Sequence, residues 1–428
     1  MISIKKRAVH RAGWSAPVRS TSLRPLLTEH PMITAKHPRL RLKPGAHTRL
    51  ATGHPWIYSN EVAMDAGAKA LPPGGVVTIE DAGGNPLATA HFNPKPLISL
   101  RILEAKPDVA IDAAWFTQRL LQAQALRQRL IPDPFYRWVH AEGDHLPGLI
   151  VDRCRDVVVV QPNTAGMDRA MPEITVAIQS LMSPKAIILR GDSSYRALEG
   201  LGDVTNVMVG EVTSPVKITE NSRIFFADPL GGQKTGWFFD QRDNRAFVAS
   251  LANDHKVLDL YTHTGGFAIA CAANGAKSAL GIDGSALALE LATKAAAANN
   301  LSSICKFERA DVFDFLDAAR SRKDKFDVVV ADPPAFVKSR KDLKPGLQGY
   351  RKLARLCAGI TSKGGFLFIA SCSHNAPLAE FTEAVARGIT DAGRSGRILK
   401  TSGASADHPV HLQLPESAYL KTLTIALD

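Results

Sequence analysis

Residues 328–336 read Val-Val-Val-Ala-Asp-Pro-Pro-Ala-Phe. An unbroken apolar run suits a strand buried on both faces, which is how strands of a parallel sheet read. Two prolines then end the ladder, because neither can donate a backbone hydrogen bond, and they fix the backbone that follows. The run therefore holds the Asp332 carboxylate rigidly at the end of a strand. Working outward, further strand-like runs are expected at 257–261, 279–283, 307–310, 326–332 and 366–371, alternating with helical stretches such as 285–299. Alternation of this kind predicts an α/β fold, an open Rossmann-like sheet covered on both faces with ligands over its carboxyl edge.

The first of these strands turns at Thr262-His-Thr-Gly-Gly-Phe267 into an alanine-rich helix, with Thr264, Gly265 and Gly266 where backbone can approach a ligand. The G-x-G-x-x-G pattern of dinucleotide enzymes is absent. Asp259, Asp283 and Asp311 stand at or near the ends of three successive strands. Asp283 is placed for ribose hydroxyls and Asp311 for an adenine amino group, although strand-end Asp also serves as a helix N-cap. Together the three acids point to an adenosine-bearing cofactor.

After the acid, Pro333 and Pro334 stiffen a turn that can present Asp332 to a planar base, and Phe336 can stack on that base. The plain alternative is a rigid turn with a core phenylalanine. The fifth strand ends Ala370-Ser-Cys-Ser-His374, bringing Cys372 to the same sheet edge. Carbon 5 of a pyrimidine is a poor nucleophile until a thiolate adds to carbon 6, so a cysteine at this position suits carbon-5 methylation. Asn375 is expected to cap a helix beginning near Pro377, which would lower the thiol pKa. Cys271 and Cys357 read as core residues, and His374 is assigned no role.

Upstream, short alternating runs between 36 and 105, punctuated by Pro72-Pro-Gly-Gly75 and Gly83-Gly-Asn-Pro86, predict a small all-β barrel. A helix follows with Phe116, Leu120, Ala123, Leu126 and Leu130 on one face. Trp138 to Gln161 reads as two strands around Arg153-Cys-Arg-Asp156, and 171–226 as mixed α and β. Residues 1–31 carry six Lys and Arg against Glu29 without apolar periodicity, a disordered basic extension that Met32 closes. The expected divisions are 1–35, 36–107, 108–228 and 229–428.

A formal charge of +11 favours a polyanionic partner. Five scattered cysteines without C-x-x-C spacing indicate neither a disulfide framework nor a metal site, and suit a cytoplasmic protein. No apolar run reaches the ~18 residues of a membrane span.

These residues resemble the large-subunit ribosomal RNA methyltransferase I family, 23S rRNA 5-methylcytosine enzymes with an N-terminal PUA barrel. The likeness covers 36–428. It is carried by Gly53-His-Pro-Trp-Ile-Tyr58, Gly143-Asp-His-Leu-Pro-Gly-Leu149, Lys234-Thr-Gly-Trp-Phe-Phe-Asp-Gln-Arg-Asp-Asn-Arg245, Thr264-Gly-Gly-Phe267, Asp332-Pro-Pro-Ala-Phe336, Ser371-Cys-Ser373, Asp407-His-Pro409, Glu416 and Tyr419-Leu-Lys421. The resemblance implies a class I methyltransferase domain, an S-adenosyl-L-methionine cofactor, and Lys234, Thr235, Gly236, Asp240, Gln241 and Arg242 in its pocket. It also implies Cys372 and Asp332 as the catalytic pair and an RNA partner, either 23S rRNA or an assembling large subunit; a homodimer is left open. Lys338 and Arg340 after the Pro-Pro turn are expected on RNA phosphates. The rivals are methylation of a base nitrogen, a uracil carbon-5 enzyme, and a non-catalytic RNA-binding assembly factor.

Overall fold

A computed structural model of the chain describes residues 33–232 and 235–428. The basic extension over 1–31 and Lys234 lie outside the described residues. Residues 34–428 form one compact unit, and among the described residues no helix is long and apolar enough to cross a membrane.

The first sheet holds five strands in the order Arg39–Arg41, Gly75–Glu80, Pro86–Phe92, Ile98–Glu104, Trp56–Tyr58. A bridge between Leu42 and Val62 joins the two ends and closes it into a barrel around Leu40, Ile57, Val77, Ile79, Phe92 and Leu100. Asp81 makes the Gly83–Pro86 turn by accepting from the backbone of Gly83 and Asn85.

The helix Ala113–Leu130 does not bury the face its leucines suggest. Trp115, Phe116, Leu120 and Ala123 are covered, but Leu126 and Leu130 are 41% and 50% exposed. The seam passes instead through Arg127, which is 0% exposed. Its guanidinium pairs with Asp144 and donates to the carbonyls of Arg137 and Asp407, at 2.9 and 2.8 Å. A fully paired arginine thus takes a core position because its partners from distant segments replace water.

Beyond it lies a sheet in the order Val204–Gly210, Ala186–Gly191, Val157–Pro162, Leu149–Cys154, Phe135–His140. The expected turn falls at Arg155-Asp156, but Trp138 belongs to a separate third strand rather than to the first of two. A hairpin, Val216–Glu220 with Arg223–Ala227, leads to the last sheet.

That sheet comprises β1 (Lys256–Leu260), β2 (Ser278–Asp283), β3 (Cys305–Arg309), β4 (Phe326–Ala331), β5 (Thr361–Ser371), β6 (Gly396–Ser402) and β7 (Lys421–Leu427). Its order is β3-β2-β1-β4-β5-β7-β6, with β1 to β5 parallel and β7 antiparallel to both neighbours. Six helices accompany it: α1 (Arg242–Ser250), α2 (Gly266–Ala273), α3 (Ala286–Ala298), α4 (Val312–Arg322), α5 (Leu343–Ile360) and α6 (Leu378–Asp391). Val328 and Val330 of β4 pack into one core with Val257 and Phe368, while Val329 and Ala331 pack into another with Leu258, Leu367 and Ile369. Both faces are covered, which is why β4 carries no polar alternation. The strand order reverses between β1 and β4, and in such sheets ligands bind at the carboxyl ends beside that reversal.

Candidate active site

The turn after β1 is built on Asp259, which is 1% exposed. Its Oδ2 accepts from the Thr262 hydroxyl at 2.5 Å and the Ala268 amide at 2.9 Å, pinning both sides of the glycine turn. Its Oδ1 is buried with no partner. Burial pushes the Asp259 carboxyl up to about 7, against the pull of those two donors. Gly265 sits at φ +82°, and a Cβ there would come within 2.9 Å of Ile269 and 3.1 Å of Ala292. Gly266 opens α2 directly over Arg245.

Asp283, at the end of β2, accepts from the backbone of His263 and of Ser285, both at 2.9 Å, so it joins the turn after β1 to its own. Asp311 is exposed and caps α4 through the amides of Phe313 and Asp314. Its N-cap use is therefore the one present in the fold. Thr264, Gly236, His263 and Ser285 line a small cavity with Asp228 and Ala288 along this edge.

The segment before α1 reaches the same edge from the side. Gln241 donates from Nε2 to Asp332 Oδ2 at 2.9 Å and accepts from Asn244 at 2.7 Å. Asp240 accepts from the Tyr419 hydroxyl at 2.5 Å, and its other oxygen is buried with no partner. Thr235 is buried with its hydroxyl on the Trp237 carbonyl, and Gly236, at φ +95°, passes close to the Asp228 backbone. Arg242 points the other way, donating to the Phe135 carbonyl at 2.5 Å and lying 3.9 Å from Asp407. Behind it, Glu220 of the hairpin accepts two bonds from Arg245 and one from Trp237.

Asp332 follows β4 directly. Burial first, and the nearby Asp240 charge second, raise its carboxyl to about 7. Pro333 is buried and Pro334 exposed. The Pro333 carbonyl lies 4.0 Å from the Cys372 sulfur. This turn and the loop after β5 are tied together: Ser373 accepts from the Val337 amide at 3.1 Å, and Tyr350 of α5 bonds both Ser371 and Ser373, at 2.8 and 2.9 Å. Phe336 is half-buried with its ring 4.7 Å from that of Tyr350. Lys338 and Arg340 are exposed on the same rim.

Cys372 is half-buried, whereas Cys154, Cys271, Cys305 and Cys357 are buried. Asn375 does not cap the following helix. Its side chain donates to the Lys338 carbonyl at 3.1 Å, and Pro377 precedes α6 without a side-chain cap. Among the described residues no cluster of His, Cys, Asp and Glu has the form of a metal site.

Three groups around the thiol are given no chemical role by the sequence, although Tyr419 and Lys421 fall within one of the family's marks. Tyr195, 54% exposed on the short helix Ser194–Glu199, stands edge-on to His374, with ring centroids 6.5 Å apart. Tyr419 also lies against His374, with ring centroids 5.4 Å apart. Lys421 opens β7 and donates to the Ser373 carbonyl at 2.7 Å. Residues 419 and 421 come near Cys372 because β7 is inserted beside β5, and Tyr195 because the central region packs against this edge.

Residues 40–105 match a family described as a PUA-like domain, and 188–389 one described as an S-adenosylmethionine-dependent methyltransferase. The chain is 39% identical over 379 residues to Ribosomal RNA large subunit methyltransferase I of Tolumonas auensis, spanning 87% of this chain and 95% of that protein. It is 35% identical over 388 residues to the protein of the same name in Cronobacter sakazakii, spanning 90% and 98%. Among solved structures, a putative SAM-dependent methyltransferase from Streptococcus mutans superposes with a TM-score of 0.76 at 22% identity, over 91% of this chain and all of that one. A putative methyltransferase complexed with SAH gives 0.77 at 21%, with the same coverage. Both structural likenesses speak to the fold.

Proposed function

The chain belongs to the ribosomal RNA large subunit methyltransferase I family and is an S-adenosylmethionine-dependent methyltransferase, and from that premise we propose that it methylates carbon 5 of a cytosine in 23S rRNA through a covalent Cys372 adduct. The observation that carries the proposal is the position of one thiol. Cys372 is the half-buried cysteine of the five, follows β5, and lies against the turn that begins with Asp332.

The cofactor's fit rests on the polar atoms at the sheet edge. Asp240 and Asp259 each keep a buried oxygen with no partner there, and the glycine turn after β1 leaves no room for a side chain. These acceptors suit the ammonium and hydroxyl groups of an adenosyl amino acid. Thr235, Gly236, Gln241, Thr264, Gly265, Gly266, Asp283 and Asp332 would surround it, with Lys234 and Asp311 completing the assignment, while Arg242, turned toward Phe135 and Asp407, would brace the segment rather than touch the cofactor. When bound, the cofactor supplies an electrophilic methyl group.

In the proposed sequence the Cys372 thiolate forms a bond to carbon 6 of the base, and the ring electrons shift to carbon 5. After the methyl group has been accepted at carbon 5, that carbon loses its proton. The carbon–sulfur bond then breaks, the ring double bond returns and the thiolate is released. Asp332 holds the polar edge of the base. With its carboxyl raised to about 7, much of it is protonated at neutral pH, so it can donate to the ring nitrogen and draw electrons away from carbon 6. Pro333, Pro334 and Phe336 would bound the slot of the extruded base, and Lys338 and Arg340 its phosphates. The barrel would hold flanking RNA, and the enzyme would act in the cytoplasm.

A trapping experiment tests this reading. With 5-fluorocytosine in the rRNA substrate, carbon 5 cannot lose fluorine as a cation, so the adduct persists. A protein–RNA band surviving denaturing electrophoresis is expected with the wild-type enzyme and not with Cys372→Ala. Methylation of a base nitrogen would give no band with either.

A further inference from the structure

Lys421 and Cys372 are 49 residues apart in sequence, yet the fold brings them together at the β5–β7 edge. In the antiparallel pairing of β5 with β7, Lys421 stands opposite Ser371, the residue before the cysteine. Its Nζ donates to the carbonyl of Ser373, the residue after it, at 2.7 Å. The main chain of Lys421 is thus held beside Ser371 and its ammonium is anchored on the Ser373 carbonyl, half-buried, where a charge is screened less than in open water.

The other groups that face the thiol come from every element around it. Tyr195 reaches it from the central helix, Tyr350 from α5 and Tyr419 from the approach to β7, and each is influenced by a charge on Cys372. Burial holds all three phenols above the ordinary tyrosine range, so they are neutral at working pH. The Pro333 carbonyl and the His374 ring, which is near both Tyr195 and Tyr419, belong to the same surroundings. Asp332 begins the facing turn, and its carboxyl is held by Gln241. Helix α6 begins after Pro377 without a side-chain cap, and the Asn375 amide is occupied with the Lys338 carbonyl. Of these groups Lys421 is the one that carries an ammonium.

We propose that Lys421 is the positioning residue that activates Cys372, its backbone-anchored ammonium stabilising the thiolate both before attack on the base and when the sulfur leaves carbon 6. Its own titration agrees. Burial lowers the Lys421 pKa, whereas a charged Cys372 raises it, so the two charges favour one another. The inference rests on Cys372 being the nucleophile.

The protein's own cysteine pattern makes the test selective. The other four thiols are buried, so iodoacetamide added to the folded enzyme, followed by intact mass, reads Cys372. The pH profile of that alkylation is compared for wild type, Lys421→Met, Lys421→Gln and Lys421→Arg, with thermal melts confirming which variants fold. An adjacent opposite charge lowers a pKa by about 1 to 3 units. The expected result is a midpoint at least about one unit higher in the Met and Gln variants, alkylation roughly tenfold slower at pH 7, and a near-normal profile in the Arg variant. In methylation assays kcat should fall while the KM for RNA holds. Unchanged midpoints in the Met and Gln variants would overturn the proposal even if kcat fell, since Lys421 would then act only through structure. If the midpoints move but Cys372→Ala still methylates, the electrostatic pairing stands and the nucleophile reading fails.

Discussion

Gln241 holds Asp332 by a 2.9 Å hydrogen bond while its own carbonyl is held by Asn244 at 2.7 Å. The segment ahead of β1 therefore fixes the orientation of the acid that ends β4, and it does so by donating to the charged form. Gln241→Leu removes that donor. The Asp332 pKa should rise further, and the pH–rate profile should move to higher pH. Misorienting the base should cost about tenfold to a hundredfold in kcat/KM. Steady-state rates from pH 5 to 9 check this, and an unmoved profile would mean that Gln241 does not act through Asp332.

Asp259 should leave a mark on stability rather than on chemistry alone. Its folded-state carboxyl is raised to about 7 from an ordinary 3.8. The native state thus binds a proton more tightly than the unfolded chain, so this group's contribution is complete below pH 3.8 and is lost as pH rises through about 7. At one unit per 1.36 kcal/mol, the loss is on the order of a few kcal/mol. Urea denaturation of Asp259→Asn between pH 5 and 8 should show a flatter decline than wild type. The buried His140 and His408, lowered chiefly by burial, act in the opposite sense and are common to both proteins. Parallel curves would contradict the raised pKa.

Glu220 links the hairpin to the cofactor edge. It accepts from Arg245 at 2.7 and 2.8 Å and from Trp237 at 3.1 Å, and Arg245 lies beneath Gly266. Glu220→Ala would leave a buried guanidinium without its partner, a loss of about 3–5 kcal/mol. A large drop in melting temperature is expected, together with weaker S-adenosylmethionine binding by calorimetry. A stability loss below ~1 kcal/mol, the range of a solvated ion pair, would show that water replaces the carboxylate.

Gly265→Ala adds a methyl group at φ +82°, where it would stand 2.9 Å from Ile269. Strain of about 1–3 kcal/mol is expected, and because the turn would shift, cofactor affinity should fall more than RNA affinity. Equal losses in both would point to general unfolding.

Much of the catalytic sheet was legible because parallel strands must be apolar on both faces. Val328 to Val330 declare a buried strand without any knowledge of its neighbours, and Asp332-Pro-Pro334 marks where it stops. Long-range pairing was not legible. Arg127 lies in a seam that the leucine spacing assigned to Leu126 and Leu130, because its partners Asp144 and Asp407 come from distant segments. The turn at Arg155 was legible, but the break between Phe135–His140 and Leu149–Cys154 was not, because a short 3-10 turn over Ala141–Asp144 makes it and a left-handed His145, rather than a glycine, closes that turn. Asn375 looked like a cap, yet its amide found the Lys338 carbonyl. Tyr419 and Lys421 stand within a family mark, yet their closeness to Cys372, and that of Tyr195, follows from sheet insertion and domain packing, neither of which leaves a local pattern.

The central claim is that Cys372 makes a covalent bond to the base during carbon-5 methylation. Nucleoside mass spectrometry of unmodified 23S rRNA, after incubation with S-adenosylmethionine and either wild-type enzyme or Cys372→Ala, tests it most directly. The account predicts 5-methylcytosine with the wild type and none with the variant, while the variant still binds cofactor. A nitrogen-methylated base, or 5-methylcytosine formed by Cys372→Ala, would contradict it.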